Sequence, residues 1–119
     1  MLNEIYDIVG LAKDLELECE DITDLYISYI AQIGNHCENL RETFSKKDFI
    51  ELKSRIHNVK GVAVNLNIQD VFEEAKSLER LLNQDDYICL KEDVERLSNV
   101  LIDSKDKVIK SFSNVNLIL

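Results

Sequence analysis

No proline occurs anywhere in this chain, and its glycines number only three, Gly10, Gly34 and Gly61. Strand-rich folds need turn residues at short, regular intervals, so a chain this poor in them is directed toward helices. The apolar residues agree. Phe49, Leu52, Ile56, Val59, Ala63 and Leu66 recur at alternating spacings of three and four, the mark of one buried face on an α-helix. At 100° per residue His57 falls roughly 130° from the centre of that face, and Gly61 roughly 170° from it. Both are therefore expected to face solvent, one turn apart. Gly61 costs the helix about 1 kcal/mol relative to alanine and gains nothing in packing. A glycine beside an exposed histidine implies that something large must approach that histidine.

The same periodicity runs through the rest of the chain. Leu2, Ile5, Tyr6, Val9 and Ala12 predict a short helix from Met1 to about Asp14, followed by a connector over Leu15 to Glu20. Asp21 reads as an N-cap. Ile22, Leu25, Tyr29, Ile33, Cys37, Leu40 and Phe44 then predict a long helix, with Gly34 as a site of close helix approach. Ser45-Lys46-Lys47-Asp48 predicts a tight turn with a capping box, serine at the cap and an acid three residues on. A turn so short makes the flanking helices antiparallel. Ile68, Val71, Phe72, Ala75, Leu78 and Leu82 predict the next helix, and Asn83-Gln84-Asp85-Asp86 a polar loop. Leu90, Val94, Leu97, Leu101, Val108 and Phe112 predict the last, with an apolar tail from Val115 to Leu119 packing on the N-terminal helix. The expected fold is all-α, an up-down-up-down four-helix bundle with a short additional N-terminal helix, and residues 1–119 form one domain.

Charge and cysteine usage exclude several functions. A net charge of −9 disfavours nucleic acid, whose backbone is bound by clustered Lys and Arg. No apolar run approaches the roughly 18 residues that span a bilayer, and the N-terminus lacks a basic-then-apolar leader. The cytoplasm is the expected compartment, with no membrane partner. Cys19, Cys37 and Cys89 are odd in number and contain no CxxC pair, so they read as reduced apolar fillers. His36 and Cys37 are adjacent and point roughly 100° apart on a helix, which suits no shared metal. No metal site is expected. The acidity is uneven: residues 46–60 carry a local +3, leaving −12 for the remainder. That basic apron would attract an acidic partner to the histidine.

His57, Lys60, Gly61, Ala63, Asn65 and Leu66 resemble the phosphorylation-site helix of histidine-containing phosphotransfer (HPt) domains, His-x-hydrophobic-Lys-Gly-small-small-x-x-Leu-Gly. The resemblance extends over about residues 20 to 112. Val62 departs from a usual small residue, and Asn67 stands where glycine is usual; asparagine is the next-best residue for a left-handed helix end.

The resemblance implies that His57 carries a phosphoryl group between receiver-domain aspartates and that Lys60 contacts the phosphoryl oxygens. Lys76 is a second candidate for that contact. It further implies that Glu79, twenty-two residues after His57, orients the ring from the adjacent helix. An acceptor on one ring N–H would leave the other nitrogen free to attack. Gly61 and Val64 would belong to the docking face. Response-regulator receivers and a hybrid histidine kinase are the implied partners of a monomer that needs no cofactor of its own; Mg²⁺ would belong to the receiver. No GxxxxGK[ST] or Gly-rich kinase loop occurs, so the chain should not phosphorylate itself from ATP. Two other readings are the phosphotransfer domain of a larger histidine kinase and a receiver-binding bundle that carries no phosphate. An initiator-like Met1 and a compact ending favour the stand-alone form over the first, and an intact His57 argues against the second.

Overall fold

The computed structural model describes residues 6–115, the side chain of Cys19 excepted. All regular structure among them is helical: α1 (Ile8–Asp14), α2 (Cys19–Ser45), α3 (Phe49–Asn65), α4 (Gln69–Asn83) and α5 (Leu90–Asn114). The four long helices close a ring in which α3 packs between α2 and α4, and α5 returns against α2. Cross-helix contacts give the directions. Tyr26 of α2 meets Leu66 at the end of α3, Phe49 at the start of α3 meets Tyr87 beyond α4, and Tyr29 and Cys37 of α2 meet Ser104 and Ser98 of α5. Each neighbouring pair in these contacts is antiparallel, as an up-down-up-down bundle requires. The longest helix, about 40 Å at 1.5 Å per residue, sets the 43 Å long axis of the molecule.

The core follows the expected stripes. Leu52, Ile56, Val59, Ala63 and Leu66 are buried on α3, Val71, Ala75, Leu78 and Leu82 on α4, and Leu90, Val94, Leu97, Leu101, Val108 and Phe112 on α5. On α2 the stripe is shifted. Leu25 is exposed and Tyr26 is completely buried, because its hydroxyl donates to the Leu66 carbonyl while its ring meets Phe112 edge-on. Either residue satisfies the three-four spacing, and a partner across the bundle decides between them.

Helix ends account for most other departures. The first helix begins only at Ile8, capped by Asp7, whose carboxylate accepts from the Gly10 N–H at 2.9 Å. A Cβ at Gly10 would collide with that carboxylate, so the glycine makes room for the cap. Val9 points outward, and Leu2 and Ile5 lie outside the described residues. Helix α2 starts at Cys19, which puts Asp21 in its first turn and not at its cap. Ser45 is the last residue of α2; the cap of α3 is Asp48, accepting from Glu51 N–H at 3.2 Å. Gly34 lies in open space, so no close helix approach explains it. Asn83 completes α4, and the following loop extends through Cys89. Val115 is exposed at the end of α5, and residues 116–119 of the expected apolar tail lie outside the described residues.

A chain with few glycines must stop its helices another way. Helices α1 to α4 end with Glu16, Lys47, Asn67 and Asp85 at φ between 54° and 58°. In each, the next N–H returns to a carbonyl five residues back: Leu17 to Ala12, Asp48 to Thr43, Ile68 to Ala63, Asp86 to Leu81. These are Schellman closures built without glycine. A left-handed non-glycine residue costs about 1 kcal/mol or more, which the paired carbonyls offset. The expected left-handed Asn67 is among them.

Candidate functional site

Above the apolar seam between α3 and α4, a single carboxylate of α4 receives two polar side chains of α3. Glu79 sits on the α3-facing side of α4, one residue beyond the buried Leu78, with only 14 % of its side chain exposed. Its Oε2 lies 2.7 Å from His57 Nδ1, and its Oε1 accepts from the Lys60 ammonium. Lys60 is one helical turn past His57, so both donors project from the same side of α3 toward α4. Burial alone would raise the Glu79 carboxyl pKa; the hydrogen bonds and charges of Lys60 and His57 outweigh it and hold the group below its ordinary 4.5. Glu79 is therefore ionised near neutrality and can only accept. It follows that His57 Nδ1 carries the proton toward it, which fixes the ring tautomer and leaves the lone pair on Nε2.

The ring that Glu79 holds is itself open to solvent, with 69 % of its side chain exposed. A Cβ built on Gly61 would meet nothing within 4 Å, so the space beside the ring is empty. Val64, a turn further, is exposed on the same stripe. The arrangement presents one uncommitted nitrogen on an exposed ring, held at a fixed orientation by a largely buried anion.

Lys76 is placed differently. Its ammonium lies over the Phe72 ring, 5.8 Å from the centroid, and not on the carboxylate that holds His57. It lines the outer groove of α4 together with Glu73, Ser77, Glu79 and Arg80. Arg80 is the cation that sequence reasoning passed over, exposed and adjacent to Glu79. Part of the expected basic apron is neutralised locally: Lys46 pairs with Glu42 at 2.8 Å and Arg55 with Glu51 at 2.9 Å. The Lys60–Glu79 pair was not legible in the sequence either, because it depends on the register between α3 and α4.

His36 has none of these features. It is half-buried on α2 beside Asn58 and Val62, and burial together with the Arg55 charge lowers its pKa below 6.5. No carboxylate orients it among the described residues. Cys37 is buried, with its thiol against the Ser98 carbonyl, while Cys89 is an exposed free thiol; the Cys19 side chain lies outside the described residues. Among the described residues no three His, Cys, Asp or Glu side chains converge as metal ligands would, and no helix is long and apolar enough to cross a membrane.

With this geometry established, comparison with known families is decisive. The Hpt domain model matches residues 24–107, from the second turn of α2 to the penultimate turns of α5, and so spans all four long helices. The chain belongs to the Hpt domain family. No curated protein and no solved structure matches it. Membership gives the chain a histidine phosphotransfer role in phosphorelays, the family that interacts with receiver domains and kinases. The Hpt fold is a helical bundle, in agreement with α2 to α5. Within this Hpt domain, the exposed, carboxylate-held histidine lies in the middle of the matched region.

Proposed function

We propose that this Hpt domain is a phosphocarrier whose His57 Nε2 takes a phosphoryl group from the aspartyl phosphate of one receiver and delivers it to the aspartate of another. The observation that carries the reading is the Glu79 contact at 2.7 Å, which commits Nδ1 and leaves Nε2 as the nucleophile on an exposed ring. As the N–P bond forms, the aspartyl O–P bond breaks and its electron pair leaves on the receiver's carboxylate. Nδ1 keeps its proton, so positive charge develops on the ring directly against Glu79, where an anion stabilises it most. Lys60, which shares that carboxylate with the ring, stands beside the arriving phosphoryl oxygens and supplies their countercharge. Lys76 is a more peripheral cation for the same purpose. Gly61 gives the receiver's rim clearance and Val64 adds an apolar contact. The Mg²⁺ of this chemistry belongs to the receiver, and the reading places the chain in the cytoplasm as a monomer.

The test is label transfer from a ³²P-phosphorylated receiver. Wild-type protein should acquire acid-labile, alkali-stable label. His57→Gln should acquire none while melting within a few degrees of wild type, since the ring is exposed. Persistent label in that variant would overturn the assignment.

A further inference from the structure

Large apolar side chains stand exposed at one end of the bundle, at a place no packing requirement explains. Ile50, in the first turn of α3, is 87 % exposed, and Ile88, in the α4–α5 loop, is 91 % exposed. The two are brought to the same end by their neighbours: the Phe49 and Tyr87 rings stack at 4.9 Å, with an interplanar angle of 26°. That stack ties the loop to the start of α3, and Ile50 and Ile88 are the exposed sequence neighbours of its two rings. Tyr87 is itself 41 % exposed, so an aromatic face is added to the two isoleucines at this end.

Its position relative to His57 identifies what covers it. Ile50 precedes His57 by seven residues, two helical turns, so the two side chains lie on one stripe about 10.5 Å apart along the axis. A specific protein–protein contact covers about 800 Å² per partner, a disc of roughly 16 Å radius. A contact of that size centred on His57 extends over Ile50. Buried apolar groups near the centre of such a contact supply most of its affinity, while exposed charges around them act mainly on encounter rate.

We propose that Ile50, Tyr87 and Ile88 form an apolar anchor for the receiver domain, separate from the groups that act on the phosphoryl. The inference rests on the phosphocarrier reading, since the footprint is drawn around His57. The anchor sets how strongly a receiver is held; His57, Glu79 and Lys60 set how fast the phosphoryl moves once it is. It also gives partner selection a physical basis: a receiver with a polar surface at that place would leave two isoleucines against unpaired polar groups.

The experiment uses the full chain and purified receiver domains of the source genome phosphorylated with acetyl phosphate. The receiver that transfers fastest to wild type is titrated against the double variant Ile50→Ser, Ile88→Ser. Both side chains are exposed, so circular dichroism melting should match wild type. The expected result is that half-saturation moves to about tenfold or more higher receiver concentration, from the apolar area no longer buried. The rate at saturation and labelling by phosphoramidate should stay as in wild type. An unchanged concentration dependence would overturn the anchor and leave the phosphocarrier reading intact. A wild-type dimer that the double variant dissolves would assign the patch to a second copy of the chain instead. If no receiver labels wild-type His57, the phosphocarrier reading fails and the anchor falls with it.

Discussion

Two carboxylates in this molecule make the same pattern of bonds and yield opposite results. Glu79 bridges the His57 ring and the Lys60 ammonium; Asp70, at the start of α4, accepts from the Tyr6 hydroxyl at 2.8 Å and from the Lys107 ammonium at 2.7 Å. Each joins a ring donor and a lysine across elements distant in sequence. At Asp70 the ring is buried, and burial followed by the Asp70 hydrogen bond and charge pushes the Tyr6 phenol pKa far up, so its proton stays in place. The Tyr6 backbone N–H also donates to Ser111 Oγ at 2.7 Å, pinning the segment before α1 onto α5. Tyr29 and Ser104 add a 2.6 Å bond between α2 and α5, with burial pushing the Tyr29 phenol up to about 12. This end is a clamp whose groups are all consumed by one another. At Glu79 the ring stands outside, and imidazole has a second nitrogen. The same bonding pattern holds a phenol inert and an imidazole ready; exposure and the spare lone pair make the difference.

The comparison can be broken from either side, beginning with the largest expected effect. Glu79→Ala removes a charge-assisted hydrogen bond worth about 1.5–3 kcal/mol, so phosphoryl transfer to His57 should slow by roughly 10- to 100-fold in single-turnover assays. Equal rates would mean that the carboxylate only supports packing. Gly61→Gln places a side chain where the receiver must approach, and a displacement of about an ångström can cost up to 100-fold in rate. Transfer from the receiver should fall while phosphoramidate labelling persists. Gly61→Ala, which meets open space, should stabilise the fold by up to about 1 kcal/mol in urea unfolding. On the clamp side, Tyr6→Phe should cost about 1 kcal/mol of stability and leave transfer rates unchanged. A change in rate there would show that the two ends are coupled.

The smallest effect is a pH dependence. The folded-state pKa of Glu79 lies below its usual 4.5, so its stabilising contribution is complete above that pH and disappears as pH falls through the lower folded value. The stability gap between wild type and Glu79→Gln should therefore close below about pH 4.5 in acid unfolding curves.

The asymmetry between the two ends also marks what the sequence could disclose. Apolar periodicity located α3, α4 and α5 nearly to the residue, because burial on one face is written in spacing. The His57 stripe and Gly61 were legible for the same reason, and Glu79 through the family resemblance. The clamp was not. Tyr26, Ser104 and Ser111 are buried polar residues whose partners lie across the bundle, and spacing along one helix carries no information about register between two. Lys60 on Glu79 escaped notice by the same rule. Helix ends were misplaced at Asp21 and Ser45 because several adjacent residues could serve as caps, and only the backbone path selects one. Glu16 and Lys47 as left-handed stops ran against residue preference and could not be anticipated from composition.

The central claim is that Glu79 holds the proton on Nδ1 so that chemistry occurs at Nε2 of His57. Two-dimensional ¹⁵N–¹H NMR of histidine-labelled protein, before and after phosphorylation by a receiver, reads this directly. The account predicts an unphosphorylated His57 with a protonated Nδ1 and a bare Nε2, and a ³¹P coupling that appears on Nε2 afterwards. A proton on Nε2 in the resting protein, or phosphorus on Nδ1 or on His36, would contradict it.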